Sequence, residues 1–147
     1  MRILVIGSGG REHTIVWKLK QSPRVQALLC APGNGGMAQQ ARCLPVNPED
    51  ADALAELIRQ EKIDMVVVGP EAPLASGLAD KLKASGISVL GPIQAAAQLE
   101  SSKVFAKDFM KKYNIPTAAH STFTKDTLDE GIAFLKQMKA PYVLKAD

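Results

Sequence analysis

The most apolar stretches of this chain do not alternate. Ile3-Leu4-Val5-Ile6 and Met65-Val66-Val67-Val68 are apolar at every position, a pattern that suits a strand covered on both faces rather than one wetted on one side. Between such runs the rhythm changes to that of a helix. Residues 11–21 put Ile15, Val16 and Leu19 on one stripe, and a second helix running to about Glu61 buries Leu54, Leu57 and Ile58. Asn47-Pro48-Glu49-Asp50 reads as the start of that helix, with Asn47 as the cap and Pro48 in the first position. Further strands are expected over residues 25–30, 43–46 and 87–90, and a helix over residues 76–85 that Gly86 stops. Strands separated by helices predict right-handed crossovers, and so an α/β fold with a doubly wound parallel sheet.

After Gly91-Pro92 the organisation changes. Residues 95–99 and 103–113 are helical with a break near Ser101-Ser102, residues 127–138 form another helix, and Tyr142-Val143-Leu144-Lys145 reads as a strand. A strand that close to the last residue has no visible partner. The expectation is a complete α/β domain over residues 1–101 and the opening, truncated segment of a second over residues 102–147.

Composition narrows the class. The 18 Lys+Arg against 15 Asp+Glu leave a formal charge of +3 over 147 residues. These charges are interspersed, which speaks against a nucleic-acid partner. No apolar stretch approaches the roughly 20 residues that cross a bilayer, so no membrane partner is expected. Cys30 and Cys43 are too few for a zinc site and form no CxxC pair; a reduced, cytoplasmic compartment is the simplest expectation.

The first motif able to carry chemistry is Gly7-Ser8-Gly9-Gly10-Arg11-Glu12-His13, between the first strand and the first helix. Glycines there let backbone N–H groups approach an anion at the positive helix end. A dinucleotide fingerprint would place its third glycine where Glu12 stands, and would end the second strand on an acid where the chain has Ala31-Pro32. NAD binding is therefore excluded, leaving either an anion site or a tight turn with no ligand. Arg11 favours the anion, because a guanidinium in a first helical turn opposes the dipole unless something negative lies nearby. His13 reads as packed or surface-exposed rather than catalytic, having no accompanying carboxylate or nucleophile pattern. Pro32-Gly33-Asn34-Gly35-Gly36 and Gly69-Pro70-Glu71 follow the second and fourth strands at the same sheet edge, where open α/β sheets bind ligands. The plainer alternatives are a surface loop for the first and a helix-capping role for Glu71. Lys103 opens a helix and Lys145 interrupts an apolar strand; each suits nucleotide phosphates, or stands as an ordinary solvated charge.

Taken together, these residues resemble the amino-terminal part of the glycinamide ribonucleotide synthetases, ATP-grasp ligases of purine biosynthesis. Gly7 to His13, Pro32-Gly33-Asn34, Val68-Gly69-Pro70-Glu71-Ala72-Pro73-Leu74 and Gly91-Pro92 carry the likeness. Leu99-Glu100-Ser101-Ser102-Lys103, Phe109-Met110, Ile115-Pro116-Thr117-Ala118 and Tyr142-Val143-Leu144-Lys145-Ala146-Asp147 continue it in order. The resemblance implies ATP-dependent ligation of glycine to 5-phosphoribosylamine through a glycyl phosphate, with Mg²⁺ or Mn²⁺ held by residues outside this segment. It implies that Gly9, Gly10, Arg11, Asn34 and Glu71 face phosphoribosylamine and that Lys103 and Lys145 contact ATP phosphates. The segment alone is expected to be inactive, and the full-length enzyme to be a monomer. Two alternatives remain: the leading domain of another ATP-grasp enzyme, such as a carboxylase subunit or a carboxyaminoimidazole-type synthetase, and a non-catalytic sugar-phosphate-binding α/β domain.

Overall fold

The computed structural model describes residues 1–147, which divide into two compact units, Met1–Ala97 and Gln98–Asp147. The first is built on five strands: β1 (Arg2–Gly7), β2 (Ala27–Pro32), β3 (Arg42–Cys43), β4 (Met65–Val68) and β5 (Ser88–Leu90). All pair in parallel, in the order β3-β2-β1-β4-β5. β1 lies at the centre, and the order reverses there. The all-apolar runs follow from this position, because successive side chains of β1 leave the sheet on opposite faces. Leu4 and Ile6 join one core with Leu54, Leu57 and Ile58 of α2 (Ala51–Gln60) and Leu78 and Leu82 of α4 (Leu78–Ala84). Ile3 and Val5 join the other, with Val16 of α1 (Gly10–Lys20), Leu28 and Met37. Each such buried aliphatic side chain contributes about 1.5–3 kcal/mol relative to exposure, so β1 anchors both cores.

Several boundaries differ from the sequence expectation for local reasons. β2 begins two residues later and runs through Pro32. β3 is Arg42–Cys43 alone rather than residues 43–46. After Leu44 N–H donates to Cys30 O, Val46 N–H turns back onto Leu44 O, and Pro45 between them has no N–H for a ladder. The cap of α2 is Asp50, whose Oδ1 accepts from Ala53 N at 2.9 Å. Asn47 instead accepts from Glu49 N, a local turn ahead of the helix. The expected helix over residues 76–85 is α4, trimmed to Leu78–Ala84, and a separate short helix, α3 (Glu71–Ala75), precedes it, divided from it by Gly77, which is left-handed at φ +85°.

The second unit holds α6 (Lys103–Lys112) and α7 (Leu128–Gln137), and the division between the units falls within α5 (Gln94–Ser101). Ser102 caps α6 by accepting from Phe105 N at 3.0 Å, which accounts for the expected break there. Phe105, Phe109 and Tyr113 stack at four-residue spacing along α6, with ring centroids 6.4 Å and 4.6 Å apart. Phe123 packs on Phe134 of α7 across the buried Gly131. The strand expected at Tyr142–Lys145 does not form: the segment takes part in no ladder, and a strand is stable only when paired.

Candidate functional site

Three loops meet at the carboxyl edge of the sheet, following β1, β2 and β4, and backbone hydrogen bonds tie them together. Gly33 N–H donates to Gly7 O at 3.1 Å, and Gly69 N–H donates to Ile6 O at 3.1 Å. Gly7 turns β1 towards α1 at φ +124°, a conformation that favours glycine.

Glu12, in the first turn of α1, organises this edge. It is 4 % exposed and is the buried charged residue of the core. Its Oε2 accepts from Gly9 N at 2.7 Å, so the third helical residue satisfies the N-cap amide. Its Oε1 accepts from Arg11 Nε at 3.1 Å. Room for the side chain comes from two glycines, Gly7 at the end of β1 and Gly69 just after β4. A Cβ on Gly7 would stand 2.6 Å from Glu12 Cγ, and one on Gly69 would stand 2.5 Å from Glu12 Cδ. From the sequence alone, Glu12 stands out only as the residue that spoils a dinucleotide fingerprint. The available signal was the capping pattern, a Glu three residues beyond the turn.

The residues singled out from sequence separate by the work their groups already do. Gly9 donates its N–H to Glu12, so that amide is engaged within the chain. Gly10 is open: a Cβ there would meet nothing within 4 Å. Arg11 extends from Glu12 towards Glu71, with Nη2 3.6 Å from Oε2, and both side chains are more than half exposed. Glu71 is the first residue of α3, behind the N-cap Pro70, and its carboxylate faces the guanidinium rather than capping the helix. Asn34 ties two loops together: Nδ2 donates to Ser8 O at 2.8 Å, and Oδ1 accepts from Gly36 N and Met37 N, each at 2.9 Å. His13 packs over Gly36 and lies 3.3 Å from Gln40 Nε2 through its own Nε2. A cavity of about 280 Å³ lined by Gly10, His13, Thr14 and Trp17 opens along α1 from the same turn.

In the second unit Lys103 is the first residue of α6, its Nζ donating to Glu100 O at 2.5 Å, and Lys145 is exposed in the terminal coil. The Asp147 carboxylate accepts from Ser102 Oγ at 2.8 Å, from Val104 N at 3.1 Å and from Lys103 N. These bonds hold its carboxyl below the usual range, the Ser102 hydroxyl contributing most.

Cys30 does not fit a nucleophile. Cys30 is buried, and burial, with Cys43 beside it, pushes its thiol up to about 12; such a sulfur stays protonated and unreactive. No three acidic, histidine or cysteine side chains gather into a group able to hold a metal ion. No helix is long and apolar enough to cross a membrane.

Comparison with known proteins places this architecture. Residues 1–100 match the model of the phosphoribosylglycinamide synthetase N domain, and residues 101–147 match that of the phosphoribosylglycinamide synthetase ATP-grasp (A) domain. Phosphoribosylamine–glycine ligases of Clostridium acetobutylicum and Neisseria meningitidis serogroup B are 48% and 50% identical over the whole chain, which covers 35% and 34% of their lengths. The chain thus spans about a third of the curated relatives it matches. Among solved structures, the Thermotoga maritima phosphoribosylamine–glycine ligase superposes with a TM-score of 0.63 at 29% identity, over 91% of this chain and 30% of that one. The N5-carboxyaminoimidazole ribonucleotide synthetase of Thermotoga maritima reaches a TM-score of 0.69 at 19% identity, over 90% of this chain and 36% of that one, a likeness of fold alone. With two thirds of its residues matched by the N-domain model and the rest by the domain that follows it, the chain belongs to the phosphoribosylglycinamide synthetase family.

Proposed function

We propose that this chain is the amino-terminal part of a phosphoribosylamine–glycine ligase, which joins glycine to 5-phosphoribosylamine with conversion of ATP to ADP and phosphate. In this reading residues 1–101 hold phosphoribosylamine and residues 102–147 open the ATP-binding domain. The observation that carries it is the Arg11 guanidinium, bonded by Glu12 and facing Glu71 at the edge where three loops meet. Gly10 leaves the adjoining backbone open to a phosphate, and the N-terminus of α1 adds its positive dipole end. Glu71, exposed beside Arg11, accepts from ribose hydroxyls or the sugar amine. Gly9 and Asn34 serve mainly to shape the loops, since their polar groups are engaged with Glu12, Ser8, Gly36 and Met37.

The reaction activates the glycine carboxylate as an acyl phosphate, which the sugar amine attacks with release of phosphate. Lys103 and Lys145 neutralise nucleotide phosphate charge, the term on which phosphoryl transfer chiefly depends. Mg²⁺ or Mn²⁺ supplies further neutralisation in such chemistry, but these residues offer no group of acids for it, and no step here runs through a metal. The setting we propose is the cytoplasm, where free thiols such as Cys30 and Cys43 stay reduced.

Titrating the 147-residue chain with ribose 5-phosphate, a stable mimic of phosphoribosylamine, tests the first half of this reading. Amide shifts at Gly10, Arg11 and Glu71 that saturate are expected. Shifts scattered over the surface, or none, would remove the phosphoribosylamine assignment.

A further inference from the structure

Asp147 lies 44 residues from Lys103 in sequence, yet its carboxylate is bonded to the start of the Lys103 helix. Oδ2 accepts from the Ser102 hydroxyl at 2.8 Å, and Oδ1 accepts from the backbone N–H of Lys103 and, at 3.1 Å, from that of Val104. Ser102 already caps α6 through Phe105 N. The aspartate therefore takes the neighbouring first-turn amides, which a helix leaves unsatisfied, at the end where the dipole favours a negative charge. Tyr142, Val143 and Leu144, shortly before it, are exposed. The hydrogen bonds from this segment to α6 converge on this one carboxylate.

The consequence concerns the two lysines. Lys145 stands two residues before Asp147, so its Cα lies within about 7 Å of that of Asp147 even when the chain is fully extended. Lys103 contributes a backbone bond to the same carboxylate. The clamp therefore keeps the stems of both lysines near the first turn of α6, and each is long enough to bring its ammonium to a shared anion.

We propose that Asp147 is a positioning residue for nucleotide phosphates, docking the segment of Lys145 onto the helix of Lys103 so that the two ammonium groups converge. This rests on the assignment of both lysines to ATP. Asp147 itself touches no phosphate; like-charge repulsion would oppose it. Its negative charge is what matters most. An amide at this position could still accept one bond, but it would lose the charge that the Lys103 and Val104 amides and the helix end favour.

The test uses steady-state kinetics of the full-length ligase carrying Asp147→Asn, Asp147→Glu, Lys103→Met and Lys145→Met. Asp147→Asn is expected to raise the Michaelis constant for ATP about tenfold while that for phosphoribosylamine changes less than about twofold. Asp147→Glu, which keeps the charge, is expected to recover most of the loss. An unchanged ATP constant in Asp147→Asn, with Lys103→Met and Lys145→Met both impaired, overturns the inference and leaves the lysine assignment standing. If both lysine variants bind ATP normally, that assignment falls, and the role of Asp147 falls with it. Equal increases in both Michaelis constants also overturn the proposal, because a merely structural clamp would give that result.

Discussion

Glu12 fills the space that Gly69 leaves empty. The carboxylate of the third residue of α1 reaches across the end of β1 to the end of β4, where a side chain on Gly69 would stand 2.5 Å from its Cδ. In dinucleotide-binding folds the corresponding position in the first helix is a glycine, for close packing of helix on strand. Here the bulk has moved from one element to another: the helix carries a glutamate, and a glycine follows the fourth strand. The exchange gives the turn an internal anion, which satisfies the Gly9 amide and holds Arg11 by its Nε.

That relationship makes Gly69→Ala a sharp perturbation. No positive φ is involved, so the cost is collision with a buried side chain that has little room to yield. We expect a loss of about 1–3 kcal/mol, read as a lower melting temperature of the 147-residue chain. Combined with Glu12→Ala, which empties the space, the alanine should cost much less than it does alone. Additive losses in a double-mutant cycle would show that the two positions are not coupled as the geometry requires.

Asn34 offers a second test of the loop assembly. Asn34→Ala removes the bond to Ser8 O and both bonds from Gly36 N and Met37 N. The expected loss is about 1–3 kcal/mol, since amides near the sheet edge lose a shared acceptor. Amide exchange should speed up locally at Gly36 and Met37 and leave β1 protected. Unchanged exchange at those two amides would refute the tying role.

The sequence made the sheet legible because burial on both faces leaves a mark that needs no tertiary knowledge: Ile3 to Ile6 and Met65 to Val68 are apolar without interruption. The stripe of α1 was readable for a similar reason, with Val16 buried and Ile15 and Leu19 packed against the same core. Features that depend on one backbone angle or one partner were not. Gly77 could have continued a helix, but its left-handed conformation divides α3 from α4. Tyr142 to Lys145 has strand chemistry, yet pairing is a property of a neighbour and not of the segment. At the site, the convergence of the loops followed from topology, whereas the role of Glu12 required knowing that Gly69 lies opposite it.

Acidification should release the Asp147 clamp. Its carboxyl is held below the ordinary 3.8, by the Ser102 hydroxyl first and then the Val104 amide. A depressed folded value means the contribution is fully present above the ordinary value and is lost as pH falls through the lower, folded one. From neutrality down to about pH 4 the Lys103 and Val104 amide resonances should therefore stay fixed, then move together in stronger acid. Asp147→Asn should abolish that acid transition. Its persistence in the variant would assign it to another group.

Gly10→Asp separates the proposed phosphate site from a merely structural turn. A Cβ on Gly10 meets nothing within 4 Å, so the substitution introduces a carboxylate without the collision that Gly9 or Gly69 would suffer. Gly10 is the first residue of α1, where an acid is favourable to the helix by about 0.3–1 kcal/mol. The folded chain should therefore be as stable as the parent or slightly more so, and a melting curve checks this first. Binding should behave in the opposite way. The new carboxylate would lie where a sugar phosphate approaches the helix end, and two negative groups there repel. In the full-length ligase the Michaelis constant for phosphoribosylamine should rise at least about tenfold, with that for ATP changed less than about twofold. If the variant keeps its stability and both constants stay at parental values, the phosphate does not approach the backbone at Gly10, and the anion site must be sought elsewhere along the sheet edge.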